Sequence, residues 1–492
     1  MVAHLLTNAC LLGWALYLVV RLVWKSSPLP PGPPGWPLIG NLLDVRTLAD
    51  APYKMLGAMS SPIITLRALG ARYIILDSSK VAEDLLEKQS PITSNRPHFT
   101  LGGELVGYNK ATGFLQYGDT HRKHRKLFNQ HIGIKRSLVV FYPTVEAEAK
   151  QFVCNLLKNP DDLNVHCRRT AARCVFRISH GYSVKHDGDL FQEMSNRALH
   201  IVFTASATGF LVDLLPILQY LPEWFPGCGF HKDTKRWRKI VDDAVNIPHE
   251  FVLEQLAKGD AEPSFTSRLL QQGLTPEDEE ILKWASFMMH LGASDTMPSM
   301  LLAFFRAMTM YPEVQKKAQA EVDSIVGDDR LPTMEDRDAL PYVNAICMEI
   351  LRWNVVLPIS GHVSTKDIHY EGYLIPKGSF LLPNIWFILS NPETYQDPER
   401  FDPERFLGEH QQPDPREACF GWGRRACPGA RLAESMLFIY VATALATLNV
   451  SRYVENGVEC VLTYEFEEGL LRRIKPFKCR ITPRSKGDLL EG

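Results

Sequence analysis

Phe420-Gly421-Trp422-Gly423-Arg424-Arg425-Ala426-Cys427-Pro428-Gly429 is the stretch on which the reading of this chain turns. Two glycines break the backbone, arginines flank the turn, and one cysteine stands at its tip. Gly421 and Gly423 carry no Cβ, so the chain can turn tightly there and approach a flat neighbour closely. Pro428 and Gly429 punctuate the loop before Arg431-Leu432-Ala433-Glu434-Ser435-Met436-Leu437-Phe438 resumes helical periodicity. Cys427 therefore sits near a helix N-terminus, where the dipole and the free amide hydrogens favour an anionic sulfur. A lone cysteine in a turn is more often a small buried hydrophobe. Here the glycines, the arginine and the cysteine stand in register with one another.

A thiolate in such a setting is the ligand a haem iron needs if it is to be pushed toward O–O bond cleavage. The loop resembles the haem-binding signature of the cytochrome P-450 family, the haem-thiolate monooxygenases. The resemblance implies a mainly α fold with a minor β region, in which haem b takes Cys427 as its axial iron ligand. Arg425, two residues earlier, is placed to meet a carboxylate at the cofactor's edge.

At 492 residues, with 45% apolar and 22% charged residues, the chain can bury a large core. Its formal charge of −2 gives no reason to expect a nucleic-acid partner. The ten cysteines show neither metal-ligand spacing nor a disulfide rhythm, which fits a reducing compartment.

Residues 1–27 read as a membrane anchor. Leu5 to Val20 is nearly all apolar, and the apolar character resumes from Leu22 to Trp24. About 20 residues of helix cross a bilayer, and the thinner endoplasmic-reticulum membrane suits this length. Arg21 and Lys25 follow the span, while Met1 to His4 carries no Lys or Arg, so the positive-inside rule leaves the body cytosolic. A cleaved signal peptide is the competing reading; the basic residues follow the apolar run, which disfavours it. Residues 28–41, with Pro28-Leu29-Pro30-Pro31-Gly32-Pro33-Pro34, read as a semi-rigid Pro-rich linker. Residues 42–492 form the expected haem-binding catalytic domain.

Along that body, Ile63–Leu66 and Tyr73–Leu76 read as a hairpin turning at Leu69-Gly70-Ala71. Ser79–Lys88, Tyr142–Leu157, Ser195–Phe210 and most of Thr266–Trp353 carry helical spacing. Short strands are expected at Tyr370–Ile375 and near Ile474–Ile481. Leu214 to Pro226 is apolar, aromatic and broken by prolines, so it cannot be one helix. It is either a buried loop or, as the resemblance implies, a loop dipping into the membrane. In the second case Lys232, Lys235, Arg236, Arg238 and Lys239 would sit at lipid head groups; otherwise they form a solvated helix face.

Trp284–Met310 is a long apolar run containing Gly292-Ala293-Ser294-Asp295-Thr296. Positions 289, 292, 293 and 296 share one helical stripe, small enough at Gly292 and Ala293 for a flat ring to pack against. The resemblance assigns Thr296 to holding dioxygen and water, and Asp295 to feeding protons inward. Pro298 removes a helix bond to the Ser294 carbonyl; that freed carbonyl either holds a proton-delivery water or marks a simple kink. The resemblance also implies a structural triad of Glu349 and Arg352, one helical turn apart, with Arg405 of the second Pro-Glu-Arg-Phe copy. Arg125, His362 and His121 are the expected further partners of the haem carboxylates, with His121 standing where the family usually has Trp. Apolar segments at Phe99–Phe114, near Leu214, and at Met289–Ala293, Val355–Ile359 and Gly469–Leu471 are expected to wall a lipophilic substrate.

The implied reaction inserts one atom of O2 into a C–H bond of a lipophilic terpenoid, alkaloid or polyketide, in the manner of fungal microsomal members. NADPH is expected to supply electrons through a separate flavoprotein reductase, since no dinucleotide-binding glycine fingerprint stands in the chain. A haem-thiolate isomerase or dehydratase, and a non-catalytic haem-binding membrane protein, are the rivals. Asp295 and Thr296 oppose the first; Cys427, Glu349 and Arg352 oppose the second.

Overall fold

The computed structural model describes residues 28–44, 61–186, 188–206, 210–460, 462, 465–467, 471–484 and 490. The expected anchor lies outside them.

Ile63–Ala68 (β1) and Ala71–Leu76 (β2) pair antiparallel, with Leu69 and Gly70 both at positive φ in the turn. The expected helix after them begins as Ser79–Ala82 and widens to π geometry over Glu83–Lys88. The long helices follow: α1 (Asp119–His131), α2 (Tyr142–Lys158), α3 (Leu163–His180), α4 (Leu190–Ala205), α5 (Phe230–Lys258), α6 (Pro276–Met310), α7 (Pro312–Val326) and α8 (Pro341–Trp353). The fourth starts five residues earlier than its spacing suggests and stops at Ala205, short of Phe210. Asp189 sets the start, because its carboxylate caps the Phe191 amide.

Four short strands follow: β3 (His362–Val363), β4 (Ile368–Tyr370), β5 (Tyr373–Ile375) and β6 (Phe380–Pro383). Glu371 and Gly372, at positive φ, turn β4 into β5. β6 runs parallel to β2 and antiparallel to β3, giving a sheet ordered β1-β2-β6-β3. The Pro-rich tract turns at residues 37–39, with Leu38 at positive φ, and is tied to β1 by Thr65 N–H to Pro31 C=O, 2.7 Å, and to β5 by Leu374 N–H to Pro28 C=O, 2.9 Å. It is thus docked on the body as well as leading into it.

The last long helix, α9 (Ala430–Thr447), is apolar nearly all round and buried, as a helix at the centre of a large core must be. It is the one described helix long and apolar enough to cross a membrane, but 78% of that window is buried inside the protein. It runs directly into β7 (Leu448–Arg452), which pairs with the C-terminal Cys479–Pro483. α6 packs along α3 and against α1, α4 and α9, so the two helices that carry the candidate chemistry share one core. All nine described cysteines are free.

Candidate active site

Cys427 stands three residues before α9, its amide donating to the Phe420 carbonyl at 2.7 Å. The preceding loop is fixed by Gly423. That residue has φ +58, and a Cβ there would lie 2.3 Å from the Leu86 carbonyl oxygen. The neighbouring helix therefore demands glycine at this position. Glu87 adds a bond from the Gly423 amide. The Cys427 side chain is exposed, yet dense protein surrounds it and burial pushes its thiol up. The Gly429 and Ala430 amides and the Arg125 charge act the other way, toward the thiolate.

Arg125, on α1, donates to the Ala426 carbonyl and so grips the cysteine loop from the opposite side. Arg425 is buried, with its guanidinium spread over the Ser94 carbonyl (2.7 Å), the Thr112 carbonyl (3.2 Å) and the Leu115 carbonyl. His121 is buried one turn before Arg125, and its Nδ1 has no protein partner. His362 is buried at the start of β3 with Nδ1 3.1 Å from the Thr93 carbonyl. Arg96 completes the group. It donates to Ser360 Oγ (3.2 Å) and the Gly361 carbonyl, while its Nε is left without a partner.

These side chains repel one another. Burial lowers His121 to about 3, with Arg425, Arg125, His124 and Arg96 adding to the effect. Burial, then Arg96 and Arg125, lowers Arg425 to about 9; burial alone lowers Arg96 to about 10. Burial also lowers His362, helped by Arg96 and Arg425. No described carboxylate acts on Arg96, Arg125 or Arg425. A cluster of enclosed cations with no counter-anion is costly unless an anion joins it. The cradle, with its two orphaned nitrogens, fits the pair of carboxylates that haem b carries.

On α6, Gly292 faces open space: a Cβ there would meet nothing within 4 Å. Thr296 is half-buried on the same stripe and donates to the Gly292 carbonyl at 2.9 Å. Asp295 is buried and held from two sides, by Arg168 of α3 at 2.8 Å and by Arg473 of the C-terminal segment at 2.5 Å. Arg473 also lies over the Phe203 ring of α4, 5.3 Å from its centroid. Pro298 lies inside α6, which continues unbroken around it.

Glu349 and Arg352 are fully enclosed and joined by two bonds of 2.7 Å. Arg405 adds a third at 3.2 Å and the Asp402 amide a fourth at 3.0 Å. The two Pro-Glu-Arg-Phe copies divide the work: the second supplies the Arg405 side chain, and the first supplies the Arg400 carbonyl, which accepts from both Arg352 and Arg405 at 3.3 Å. Phe406, next in sequence, packs in one cluster with Ala418 and Trp422, so the network supports the cysteine loop from behind.

The structure thus gathers Cys427, Arg425, Arg125, His121 and His362 about one end of α9, with Asp295 and Thr296 on the facing helix and the Glu349 triad outside. Arg96, Arg168 and Arg473 escape sequence reasoning. Nothing in their spacing links Arg96 to residue 425, or Arg168 and Arg473 to residue 295; only the tertiary fold does.

The cytochrome P-450 family profile matches residues 30–481. The chain is 40% identical to cytochrome P-450 monooxygenase 208 of Postia placenta, over 97% of this chain and 95% of that protein. It is 40% identical to the monooxygenase claR of Ampulloclitocybe clavipes, covering 96% and 89%. It is 36% identical to the tryptamine 4-monooxygenase of Psilocybe cyanescens, covering 98% of each. A zebra fish cytochrome P-450 solved with abiraterone shares the fold, with a TM-score of 0.68 at 23% identity over 88% of this chain and 99% of that one. A thiol facing an anion-hungry cradle, set in this fold and matched nearly end to end by such relatives, leads to one assignment: the chain belongs to the cytochrome P-450 family.

Proposed function

We propose that this monooxygenase holds haem b through Cys427 and oxidises a lipophilic terpenoid, alkaloid or polyketide intermediate. The observation that carries the reading is the juxtaposition of an exposed thiol with a cluster of enclosed cations lacking an anion. Arg96, Arg425, Arg125, His121 and His362 would hold the haem carboxylates. When bound, the haem supplies dioxygen activation.

The chain's own residues prepare the rest. Arg125 fixes the Ala426 carbonyl and adds positive potential at the sulfur. Thr296 spends its hydrogen on Gly292, which leaves its oxygen free to accept from a water. Asp295 must release Arg168 or Arg473 before it can take a proton from outside and pass it on. The Glu349 triad keeps the loop in place and takes no part in chemistry.

An NADPH-dependent flavoprotein reductase is the expected electron donor. Endoplasmic-reticulum membrane is the proposed location, single-pass, with the catalytic body in the cytosol. Leu215 (54% exposed), Ile217 (65%), Tyr220 (77%) and Trp224 (81%) are exposed on the Pro-broken segment and are suited to lipid. Of the basic residues after it, Arg236, Arg238 and Lys239 are paired along α5 with Asp233, Asp242 and Asp243, which weakens their pull on head groups.

The test is reconstitution in microsomes with a fungal reductase and a panel of indole, terpenoid and polyketide substrates. Substrate-dependent NADPH consumption with one oxygen atom incorporated from labelled O2 is expected. Rearranged product without O2 or NADPH uptake would favour the isomerase reading instead.

A further inference from the structure

We infer that three buried histidines, His249, His180 and His290, form a proton relay that enters at Glu279 and ends at the Ser294 turn of α6. It would be a second inlet, separate from the Asp295 clamp.

The rings come from three helices: His249 from α5, His180 from the end of α3, His290 from α6. All are 3% exposed or less. At the outer end, His249 Nε2 lies 3.0 Å from Glu279 Oε1, whose side chain is 34% exposed and in touch with solvent. At the inner end, His290 Nδ1 meets Ser195 Oγ at 2.9 Å, and Ser195 Oγ meets Ser294 Oγ at 3.2 Å. Between them, the His180 and His290 rings stand 5.8 Å apart, and His180 Nδ1 meets Ser179 Oγ at 2.7 Å. His249 is close enough to add to the electrostatic disfavour of a charged His180.

Two features separate a relay from inert packing. His249 Nδ1 and His290 Nε2, each the second nitrogen of a ring already anchored, are buried without a protein partner. Buried polar atoms of this kind are normally satisfied by internal water. In addition, the chain of hydroxyls ends where Pro298 deprives the Ser294 carbonyl of its helical donor, so an acceptor stands ready for a further water. Phe176, stacked on His290 at 4.6 Å, seals one flank, so the path is narrow and oriented. Lys283 and Glu250 also act electrostatically on His249 at the entrance.

The transfer balances without a charged intermediate at rest. Each imidazole takes a proton on one nitrogen and releases one from the other, and the tautomers reset in the return direction. Bulk water supplies the proton through Glu279. The consumer is oxygen reduction at the Cys427 site, so the proposal rests on the monooxygenase reading.

The test uses His290→Asn, which retains a partner for Ser195 in place of Nδ1 and removes Nε2, the nitrogen on the proton-entry side, made alone and in an Asp295→Asn background. The reduced carbon monoxide spectrum is taken first and tests the haem-thiolate reading itself. The double variant is expected to form product about tenfold more slowly than Asp295→Asn, with more peroxide per NADPH. Equal rates and equal peroxide in the two overturn the relay. Where His290→Asn does not retain haem, Glu279→Gln at the surface is compared in the same way. A crystal structure of the holoenzyme gives a readout free of turnover: ordered water on His290 Nε2 leading toward His180 and His249 is expected, and a dry nitrogen overturns the proposal.

Discussion

Glu349→Gln isolates the energetic role of the buried triad, since it removes a charge and almost no volume. The carboxylate accepts four bonds: from Arg352 Nη2, Arg405 Nε and the Asp402 amide at Oε1, and from Arg352 Nε at Oε2. A glutamine whose carbonyl replaces Oε1 keeps three of them. Its amide then points N–H groups at Arg352 Nε, donor against donor, and two enclosed guanidinium charges lose the one anion that pairs with them among the described residues. Breaking a buried pair by removing one partner costs about 3–5 kcal/mol, a large part of a total stability of about 5–15 kcal/mol. An exposed pair such as Lys317–Glu404 is worth only about 0–1 kcal/mol by comparison. Chemical denaturation followed by haem absorbance and by far-UV dichroism measures the effect. Glu349→Gln is expected to unfold several kcal/mol earlier and lose haem, while Glu404→Gln stays within 1 kcal/mol of native. A Glu349→Gln protein as stable as Glu404→Gln refutes the reasoning.

Gly423→Ala and Gly421→Ala form a matched pair, because both sites have positive φ but only at Gly423 would a Cβ strike backbone. Haem retention is expected to fall far more in the first, and equal losses would mean that dihedral strain alone matters. Asp295→Asn is expected to slow product formation by about a hundredfold while leaving the reduced carbon monoxide spectrum unchanged; a rate within twofold of native rejects its role in proton supply. Burial lowers His290 from its usual range to about 3, so the ring contributes stability above about 6.5 that is lost as pH falls toward about 3. Across that window the unfolded chain binds one more proton, and His290→Asn should flatten the fall in stability by about 1.4 kcal/mol per pH unit. Denaturation midpoints measured at a series of pH values check this, and an unaltered slope contradicts it.

The periodicity and the punctuation of the chain made most of the fold legible. β1 and β2 follow from two apolar runs around Leu69-Gly70, and α6 from an apolar run with few breaks. What local pattern could not reveal was set by contacts between distant segments. Asp189 moved the start of α4, and the sheet drew the Pro-rich tract onto itself. The cysteine loop was readable because its chemistry lies in one contiguous stretch. The cation cradle was only partly so, since Arg96 is brought to Arg425 by folding alone. The same holds for Arg168 and Arg473, which come from opposite halves of the chain to the two oxygens of one carboxylate. The contact of Gly423 with the Leu86 carbonyl was hidden for a related reason: sequence shows that the backbone can approach something closely, but not what.

The central claim is that the sulfur at position 427 is the protein's bond to the haem. Cys427→Ser replaces that sulfur with a hydroxyl at nearly constant size. The direct measurement is the reduced carbon monoxide difference spectrum of the purified variant beside that of the native protein, with turnover measured in parallel. The native protein is expected to show the thiolate-ligated band and the variant to lack it, together with monooxygenase activity. A variant that keeps the native Soret absorbance, the thiolate-type band and the native rate would contradict the account.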